Sequence, residues 1–561
     1  MAKNEDVEPD AVADGDAKAE EPDVPKKRAA AKKKKVVRKK KVARKRKVAK
    51  KVTKKPVSEE TGAPASATVE AEDGSGPASA EGRGEESEEA KASSEKSPSN
   101  TEEPKRQKAE GAESEPEPEP EPEATPEPEP DPGPPPPEEI DLGEFQQRSV
   151  AELYELGASL GLRVGGVRSK HDLVFEILCH WGRKGTKIIA EGFLDIVNDG
   201  YGFLRFPAFN FAPHADDVYV GVNFIRDSGL RPGQRMKVAA RAPRERERFL
   251  STAEVIEVEG GAVSDWEPPA RFDSLTAISP RERIILERSS DPEAVSPRVV
   301  DLIAPLGKGQ RGVIVAPPRG GKTILLKEIA KSVVANHPEL EVLILLLDER
   351  PDEDTDFEEN VPGAQVYSST FDETPERHVA VAELVAERAK RITELGKGAV
   401  ILMDSLTRLA RGYNGLITTR GKGKGRTGSG GLDTRALPKA RKIFNIARNA
   451  EEGGSLTMLA TALIDTGSRA DEIIFEEFKG SGNMEIQLDR ELLERRIFPA
   501  ISIPKSGTRK DELLYHPDEF KRVGMLRRQL AQRPGGEAME VLIDHLLNSS
   551  SNAELLLSGL R

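Results

Sequence analysis

The sequence is poor in cysteine and in aromatic residues. Of its 561 residues, one is a cysteine, Cys179, and 4% are aromatic. A single cysteine excludes an intrachain disulfide and any metal site built from several cysteines, which is typical of proteins in a reducing cytoplasm. No apolar run approaches the roughly 20 residues that a membrane-spanning helix needs, and the first residues lack the apolar segment of a signal peptide. We therefore expect a cytoplasmic protein with no membrane partner.

Charge is plentiful but unevenly distributed along the chain. Charged residues make up 32% of the sequence and the net charge is −12. Residues 26–55 are almost all Lys, Arg, Ala and Val, whereas residues 115–130 are mostly Glu-Pro repeats. Neither segment can bury enough apolar surface to offset its chain entropy, so we predict a disordered tail over residues 1–140. The basic block either contacts RNA phosphates or is a solvated tail that its acidic neighbour partly neutralises.

The part of the chain after residue 140 is predicted to contain two small domains and a linker. Patterns that resemble capping boxes begin at Ser149 and Ser169, and the apolar residues that follow have helical spacing, which predicts a small helical domain over residues 141–186. Five short strand-like segments punctuated by Gly, Asn and Asp predict an OB-type β-barrel over residues 187–258. Residues 259–297 are rich in Pro, Ser and charge, and we expect them to be a linker.

Residues 298–561 alternate apolar strands with helices, which predicts an α/β domain. Its apolar strands lack the polar alternation of a half-exposed strand, so they belong in a parallel sheet that is covered on both faces. These strands cover residues 342–347, 399–403 and 456–462. A further strand over residues 312–315 precedes a Gly-rich loop and a predicted helix, which is the strand–loop–helix order of phosphate-binding loops.

The Gly-rich loop has the sequence APPRGGKT, from Ala316 to Thr323. Gly320 and Gly321 allow backbone N–H groups to point at phosphate oxygens, Lys322 can reach the β- and γ-phosphates of ATP, and the Thr323 hydroxyl can hold Mg²⁺. Ala316 stands where the common pattern has glycine, so the pattern alone also fits an ordinary strand-to-helix turn. The flanking strand and helix favour nucleotide binding. The predicted nucleotide site also includes Pro318, Arg319 and Ile324.

Two acidic residues end apolar strands of the predicted sheet. In an open α/β sheet, Glu349 and Asp404 would both lie at the carboxyl edge, beside the phosphate loop. There Asp404 can organise Mg²⁺ through its waters, and Glu349 can polarise the attacking water of a hydrolysis reaction. Each acid taken alone fits a helix cap or a surface salt bridge equally well. The phosphate loop upstream favours the catalytic interpretation.

The few aromatic residues include a group that favours RNA binding. Tyr201, Phe203 and Arg205 alternate along one predicted strand, so their side chains share a face. Two aromatic rings and a guanidinium on one face form a stacking platform for single-stranded bases. Alternatively, the rings fill the core of the barrel. The predicted RNA pocket also includes Tyr219, Glu247 and Phe249.

Eight strings, in order along the chain, resemble the bacterial transcription termination factor Rho family. They are VAPPRGGKT from Val315, LDERP from Leu347, STFDE from Ser369, DSLTRLAR from Asp404, NAEEGGSL from Asn449, ALIDTGS from Ala462, EEFKG from Glu476 and SGTR from Ser506. The resemblance covers about residues 141–561 and implies a RecA-like ATPase domain in a homohexameric ring. It also implies 5′-to-3′ translocation along C-rich single-stranded RNA, and termination of transcription by action on RNA polymerase.

The resemblance assigns roles to individual residues. It implies that Lys322 contacts the phosphates and that Thr323 holds Mg²⁺. It also implies that Glu349 is the catalytic glutamate and Asp404 the Walker B aspartate. It further implies that Arg509 is an arginine finger donated by a neighbouring subunit, that Arg350 lies close to the γ-phosphate and that Phe498 packs on adenine. The family also resembles this chain at Ala316, so the absence of glycine at this position agrees with the resemblance.

The resemblance also implies two loops that line a central RNA channel. One covers residues 425–431 and the other residues 465–469, and Gly-rich loops with a few cations suit a grip on the sugar–phosphate backbone that is independent of sequence. The first loop is longer and more basic than the family pattern, and a mobile surface loop is the alternative. The residues implied to contact RNA are Arg426, Arg469 and Lys479.

Two other functions fit parts of the sequence. A rotary ATPase subunit would share the ATPase fold and an N-terminal barrel, but the aromatic platform and the basic loops argue against it. An RNA-binding scaffold whose ATPase has lapsed would share the platform, but Lys322, Glu349 and Arg509 are all present. ATP turnover with and without C-rich RNA distinguishes the three.

Overall fold

The computed structural model describes residues 135–163, 169–197, 199–419 and 428–560. Residues 1–134, which make up most of the predicted tail, and Arg426 of the first predicted channel loop lie outside the described residues. Within the described ranges, no helix is long and apolar enough to cross a membrane.

A small helical unit comes first. It contains strand β1 (Glu139–Asp141) and helices α1 (Leu142–Gln147), α2 (Val150–Ser159) and α3 (Lys170–Arg183). The capping box predicted at Ser149 is confirmed, because its side chain accepts the N–H of Glu152 while the Glu152 carboxylate accepts the N–H of Ser149. At Ser169 the hydroxyl caps the helix by accepting the N–H of Asp172, and it donates its own proton to the Asp172 carboxylate.

The next strands close into a barrel, as the sequence predicts. The elements are β2 (Lys187–Ile196), β3 (Gly202–Arg205), β4 (Val218–Val220), α4 (Val222–Asp227), β5 (Arg235–Arg241), β6 (Leu250–Val258) and β7 (Gly261–Ala262). The strand order is β2-β3-β4-β6-β5, and β2 pairs again with β5 to close the barrel. Its core is made of alternate apolar residues such as Leu194, Leu204 and Val238, all fully buried.

The segment predicted as a linker packs against the α/β domain. It contains β8 (Ala277–Ile278) and β9 (Arg283–Ile284). β8 pairs with β15 and β9 with β10, both introduced below. Phe272 and Ile284 of this segment are buried in the core of the α/β domain. The connection between the barrel and the α/β domain is therefore held in place along much of its length.

The α/β domain is built around one large sheet. The strands of this sheet are β11 (Arg311–Ala316), β12 (Leu340–Glu349), β13 (Gln365–Thr370), β14 (Gly398–Asp404), β15 (Arg448–Ala450), β16 (Ser455–Leu463), β17 (Met484–Gln487) and β18 (Gly507–Thr508), together with β8, whereas β10 (Leu306–Gly307) forms a separate two-stranded sheet with β9. Its helices are α5 (Val295–Ile303), α6 (Lys322–Asn336), α7 (Pro351–Asn360), α8 (Pro375–Glu394), α9 (Leu406–Thr419), α10 (Ala436–Phe444), α11 (Arg469–Lys479), α12 (Arg490–Glu494), α13 (Pro517–Leu530), α14 (Gly535–Leu547) and α15 (Asn552–Ser558).

The sheet has the order β13-β12-β14-β16-β11-β17-β18. The strands from β13 to β17 in this order pair in parallel, and β18 is antiparallel to β17. Every strand that the sequence predicts is present, and β14 and β16 are buried along almost their whole length. The parallel arrangement brings the carboxyl ends of β11, β12, β14 and β16 to one edge of the sheet.

Ion pairs and one ring stack join the barrel to the α/β domain. The guanidinium of Arg388 lies 2.7 Å from a carboxylate oxygen of Glu259, and both side chains are nearly buried. On the barrel side, Phe211 stacks on Tyr367 with ring centroids 4.7 Å apart. Because a broken buried ion pair leaves a charge uncompensated, these contacts resist separation of the two domains.

Candidate nucleotide and RNA sites

The phosphate loop connects β11 to α6 and has the geometry of an anion cradle. The N–H of Gly320 donates to the carbonyl of Pro317 at 3.0 Å, which closes the turn. A Cβ on Gly320 would lie 2.7 Å from that carbonyl oxygen, and Gly321 has a φ of +78°, so both positions favour glycine. Because α6 begins at Lys322, the loop presents the N–H groups of the helix N-terminus to the space above it.

Four predicted residues meet at the carboxyl edge of the sheet. The Nζ of Lys322 lies 2.9 Å from Oε1 of Glu349 and 2.6 Å from Oδ1 of Asp404. The hydroxyl of Thr323 donates to Asp404 Oδ2 at 3.1 Å. Asp404 is fully buried, whereas the other side chains reach the surface of the site. The four residues that the sequence predicts to lie close together are therefore in contact in the structure.

The charges of the cluster influence one another. Burial opposes the charge of Lys322, but the neighbouring carboxylates of Asp404 and Glu349 outweigh it and raise the pKa of the lysine. Burial, followed by the negative charge of Asp404, raises the pKa of Glu349, and Lys322 only partly offsets these effects. Glu349 is thus a better proton acceptor than an exposed glutamate, which is a property that a general base requires.

Two residues that the sequence did not identify complete the cluster. Thr461, at the end of β16, donates its hydroxyl hydrogen to Asp404 Oδ1 at 2.6 Å. Glu353, in the first turn of α7, has a carboxylate oxygen 3.2 Å from the Thr323 hydroxyl oxygen, so it is an alternative acceptor for the hydrogen that Thr323 donates to Asp404. Glu353 is predictable from the run of acidic residues directly after Pro351. A helix that begins at Pro351 has its first turn close to the end of β12, so an acidic residue in that turn lies near Glu349.

A cavity of about 650 Å³ adjoins the phosphate loop. Its lining includes Pro318, Arg319 and Phe498, and its volume is in the range that suits a nucleotide. Phe498 is 53% exposed and presents its ring to this space. Ile324 is 63% exposed on the first turn of α6. Arg350, at the N-cap of α7 directly after Glu349, is also exposed.

Arg509 lies far from the phosphate loop of its own chain. It follows Thr508, which pairs with Met484, and Met484 pairs in turn with Gly312 at the start of β11. The phosphate loop leaves from the other end of β11. Arg509 is therefore at the amino edge of the sheet, where it lines a basic cavity of about 220 Å³ together with Lys479 and Lys505.

The aromatic residues of the barrel form a continuous group on its surface. Ring centroids of Tyr201 and Tyr219 are 5.4 Å apart, those of Tyr201 and Phe203 are 5.9 Å apart, and Phe203 and Phe249 are at 5.0 Å. These rings are half-buried, whereas the intervening Leu204 is fully buried. The interpretation that the rings fill the barrel core is therefore wrong, and they are accessible to bases.

Arg205 joins this platform to two acidic residues. Its guanidinium carbon lies 5.0 Å from the centroid of the Phe203 ring. It pairs with Asp195 at 3.2 Å and also with Asp217. Burial raises the pKa of Asp217 to about 6, although Arg205 acts in the opposite direction. Asp217 is not among the residues that the sequence predicts for this site, although it stands directly before β4 and two residues before Tyr219.

The predicted channel residues that the structure describes lie on α11. Arg469 begins this helix and Lys479 ends it, and both are exposed. Lys479 pairs with Glu485 at 3.2 Å and lies over the ring of Phe475. Asp465, in the loop before α11, lines the 650 Å³ cavity beside the phosphate loop. The second predicted channel loop therefore borders the predicted nucleotide site.

Two family models match the chain. The model described as the ATP synthase alpha/beta family, nucleotide-binding domain matches residues 296–508. The model described as the Rho termination factor, RNA-binding domain matches residues 190–264. The first match contains the carboxyl-edge cluster, and the second contains the aromatic platform.

Curated proteins named Transcription termination factor Rho are similar over most of the chain. The protein of Akkermansia muciniphila is 51% identical over 76% of this chain and 88% of its own length. The protein of Aquifex aeolicus is 49% identical over 74% and 94%, respectively. The protein of Pseudomonas aeruginosa is 45% identical over 74% and 98%.

Proposed function

This chain belongs to the transcription termination factor Rho family, whose members combine an RNA-binding domain with an ATPase domain, and we propose that it is an ATP-driven RNA translocase. In this proposal it assembles into a homohexameric ring in the cytoplasm, binds C-rich nascent RNA and moves 5′ to 3′ toward RNA polymerase. The observation that carries the proposal is the cluster of Lys322, Glu349 and Asp404 beside a phosphate loop, in one chain with a half-buried aromatic platform on the barrel surface.

The residues at the carboxyl edge fit MgATP. Mg²⁺ prefers oxygen ligands and retains several waters, and the Thr323 hydroxyl with the carboxylates of Asp404 and Glu353 offers such a set. We assign the direct contact to Thr323, and contacts through water to Asp404 and Glu353. The bound ion would neutralise the charge that develops on the phosphates.

Different side chains of the protein have different roles in hydrolysis. Lys322 leaves the carboxylates and contacts the β- and γ-phosphate oxygens, because the loop delivers them beside its ammonium group. Glu349, freed from that ion pair, orients the attacking water and accepts hydrogen from it. Phe498 packs on the adenine ring in the adjoining cavity, and Arg350 stays close to the γ-phosphate.

Arg509 supports a site shared between subunits. Its position at the amino edge of the sheet keeps it away from the phosphate loop of its own chain. In a ring, the amino edge of one subunit can face the carboxyl edge of the next, as in a head-to-tail interface. We therefore assign Arg509 to the active site of the neighbour, where its guanidinium stabilises charge in the transition state.

The barrel supplies the RNA-binding part of the proposal. Bases of single-stranded RNA stack on Tyr201, Phe203 and neighbouring rings. The carboxylates of Asp217 and Glu247 can accept hydrogen bonds from the amino group of cytosine, which uracil lacks. The exposed cations Arg469 and Lys479, with Arg426 of the first loop, are assigned to the RNA backbone in the channel.

ATP turnover measured with and without RNA tests the proposal. We expect oligocytidylate to stimulate hydrolysis strongly and oligoadenylate to do so weakly, with the stimulation lost when Phe203 is replaced by alanine. A rotary subunit would be indifferent to RNA, and a scaffold with a lapsed ATPase would bind RNA without turnover. Either result would contradict the proposal.

A further inference from the structure

Strand β12 ends in a bulge that contains Asp348. Leu347 pairs with Ser369 of the neighbouring strand β13. Glu349 pairs with Thr370, which is the next residue of β13, so Asp348 is an extra residue between the two pairs. The φ of Asp348 is +56°, in the left-handed region, where aspartate and asparagine are among the few residues other than glycine that are often found.

The bulge changes which face of the sheet Glu349 occupies. Side chains of a strand alternate between the two faces. In β12, Leu346 packs in the core beside α6, whereas Leu345 and Leu347 pack in the core beside α8 and α9. Continued alternation would place Glu349 on the same face as Leu347. The extra residue reverses this order, and Glu349 lies on the α6 face, 2.9 Å from Lys322.

Asp348 faces the other side of the sheet, where it pairs with Arg408. The Nη1 of Arg408 donates to Asp348 Oδ2 at 2.8 Å, and both side chains are partly buried. Burial lowers the pKa of His378 on α8, and the negative charge of Asp348 opposes that effect, which places the carboxylate near α8 as well. The two consecutive acids therefore point to opposite faces of the sheet, Asp348 toward α8 and α9 and Glu349 toward α6.

The position of Arg408 on its helix favours this ion pair. Arg408 lies in the first turn of α9, directly after the strand end that carries Asp404. Its backbone N–H donates to the hydroxyl oxygen of Ser405 at 3.2 Å. A cation in the first turn of a helix is disfavoured by the helix dipole, so Arg408 gains from a carboxylate partner. One strand-to-helix turn thus carries both Asp404 and the residue that holds the bulge.

We propose that Asp348 and Arg408 are positioning residues for ATP hydrolysis: their ion pair holds the bulge that turns the carboxylate of Glu349 toward the phosphate loop. The proposal rests on the role in hydrolysis that is proposed above for Glu349. Neither positioning residue has to touch the nucleotide. A displacement of about 1 Å in a group that orients a reactant can slow a reaction roughly 100-fold. Loss of the ion pair should therefore lower kcat and leave the phosphate-binding groups in place.

Steady-state ATP hydrolysis by the full chain with saturating oligocytidylate tests the proposal. We expect Asp348→Asn and Arg408→Gln each to lower kcat roughly 10- to 100-fold and to leave KM for ATP within about twofold of the wild type. Asparagine tolerates the left-handed region as aspartate does, so Asp348→Asn removes the ion pair with little change in backbone preference. The double variant should match the slower single variant. Arg408→Lys keeps the charge and should retain part of the turnover.

A second cycle shows whether the ion pair acts through Glu349. In a Glu349→Gln background, single-turnover rates with and without Arg408→Gln should be equal, because the carboxylate that the ion pair positions is already lost. A further loss of rate in that background would show that Arg408 takes part in the reaction in another way, and the proposal would be overturned.

Tyr413→Phe is the matched control. Tyr413 lies on α9, as Arg408 does, and its hydroxyl donates to Glu383 of α8 at 2.7 Å. The variant removes a polar contact between these helices and leaves the end of β12 unchanged, so we expect the kcat of the wild type. An equal loss of kcat in this variant would mean that any disturbance of α9 slows the reaction, which would overturn the role of the ion pair.

Other outcomes would contradict the proposal in distinguishable ways. If Arg408→Gln raises KM for ATP as strongly as it lowers kcat, Arg408 contacts the nucleotide directly. If Asp348→Asn has the kcat of the wild type, the ion pair does not hold the bulge. If urea denaturation shows that the loss of kcat follows a loss of folded protein, the pair only stabilises the fold. Absence of turnover in the wild type would overturn the proposed function together with this inference, which distinguishes that failure from the others.

Discussion

Lys322 and Asp404 form a short ion pair, in which the ammonium nitrogen lies 2.6 Å from Oδ1 of a fully buried carboxylate. Both residues have other partners in the proposed reaction, since Lys322 is assigned to phosphate oxygens and Asp404 to the waters of Mg²⁺. The pair thus keeps two charges compensated in the absence of nucleotide. Binding of MgATP replaces one set of charge pairs with another, and no charge is left buried alone.

Replacement of Lys322 by alanine should abolish ATP binding and lower the stability of the protein. The carboxylate of Asp404 would remain buried without its cation, and we expect a loss of about 1–3 kcal/mol in the free energy of unfolding. Labelled-nucleotide binding and urea denaturation measure the two effects. Lys327→Ala is the control, because Lys327 is on the same helix and pairs with the exposed Asp356. Equal losses in both variants would contradict the role of Lys322.

Glu349→Gln should abolish hydrolysis and leave ATP binding largely intact. Glutamine keeps the shape of the side chain and removes the group that accepts hydrogen from water. In the wild type, the raised pKa of Glu349 should place the acidic limb of the kcat/KM profile, which reports the free enzyme, above pH 4.5, the value of an ordinary glutamate, because only the ionised form acts as a base. Loss of ATP binding to the same degree as loss of turnover would oppose this assignment.

Thr461→Val should reduce turnover about tenfold and raise the concentration of Mg²⁺ that half-saturates nucleotide binding. Valine has the shape of threonine, but it removes the hydroxyl that holds Oδ1 of Asp404 and leaves that oxygen with one partner fewer, at a cost of about 1–3 kcal/mol. Thr457→Val is a close control, since Thr457 is buried on the same strand and accepts the N–H of Gly309. Indistinguishable Mg²⁺ titrations for the two variants would count against a role for Thr461.

The preference for cytosine over uracil should weaken as the pH falls through about 6. Burial raises the pKa of Asp217 to about 6, so the carboxylate is charged above that pH and protonated below it. A protonated carboxyl group is a poorer acceptor for an amino group and a weaker partner for Arg205. We expect a lower affinity ratio at pH 5.5 than at pH 7.5 in anisotropy titrations, and no such change in Asp217→Asn. A ratio that is constant in the wild type, or that still changes in the variant, would contradict this role.

The sequence predicts those site residues that lie at the ends of parallel strands, because a parallel sheet places all these ends at one edge. Lys322, Glu349 and Asp404 follow or end apolar strands, and parallel strands bring their carboxyl ends to one edge. Thr461 ends such a strand too, but a threonine there has no chemical signature before its distance to Asp404 is known. The meeting of Asp217 with Arg205 likewise depends on how the barrel closes.

The position of Arg509 cannot be predicted from the sequence and is known only from the three-dimensional structure. β18 has two residues, which is too short for any periodic pattern to predict it, and its register with β17 places Arg509 at the amino edge. The segment over residues 259–297 is predicted as a linker, and its short strands β8 and β9 cannot be predicted from the sequence because they form through pairing with β15 and β10. In both cases tertiary pairing, rather than local propensity, determines the structure.

In the proposed ring, hydrolysis takes place between subunits, with Glu349 from one chain and Arg509 from the next. Chains carrying Glu349→Gln and chains carrying Arg509→Ala, each inactive alone, are mixed in equal amounts, and RNA-stimulated ATP turnover is measured. In randomly mixed rings with one head-to-tail interface per subunit, about a quarter of the interfaces hold both intact groups. We expect turnover to return to roughly that fraction of the wild-type rate, because a finger of this kind contributes about 10³–10⁵ in rate. No recovery in rings shown to contain both chains would place Arg509 in the active site of its own chain and contradict hydrolysis between subunits.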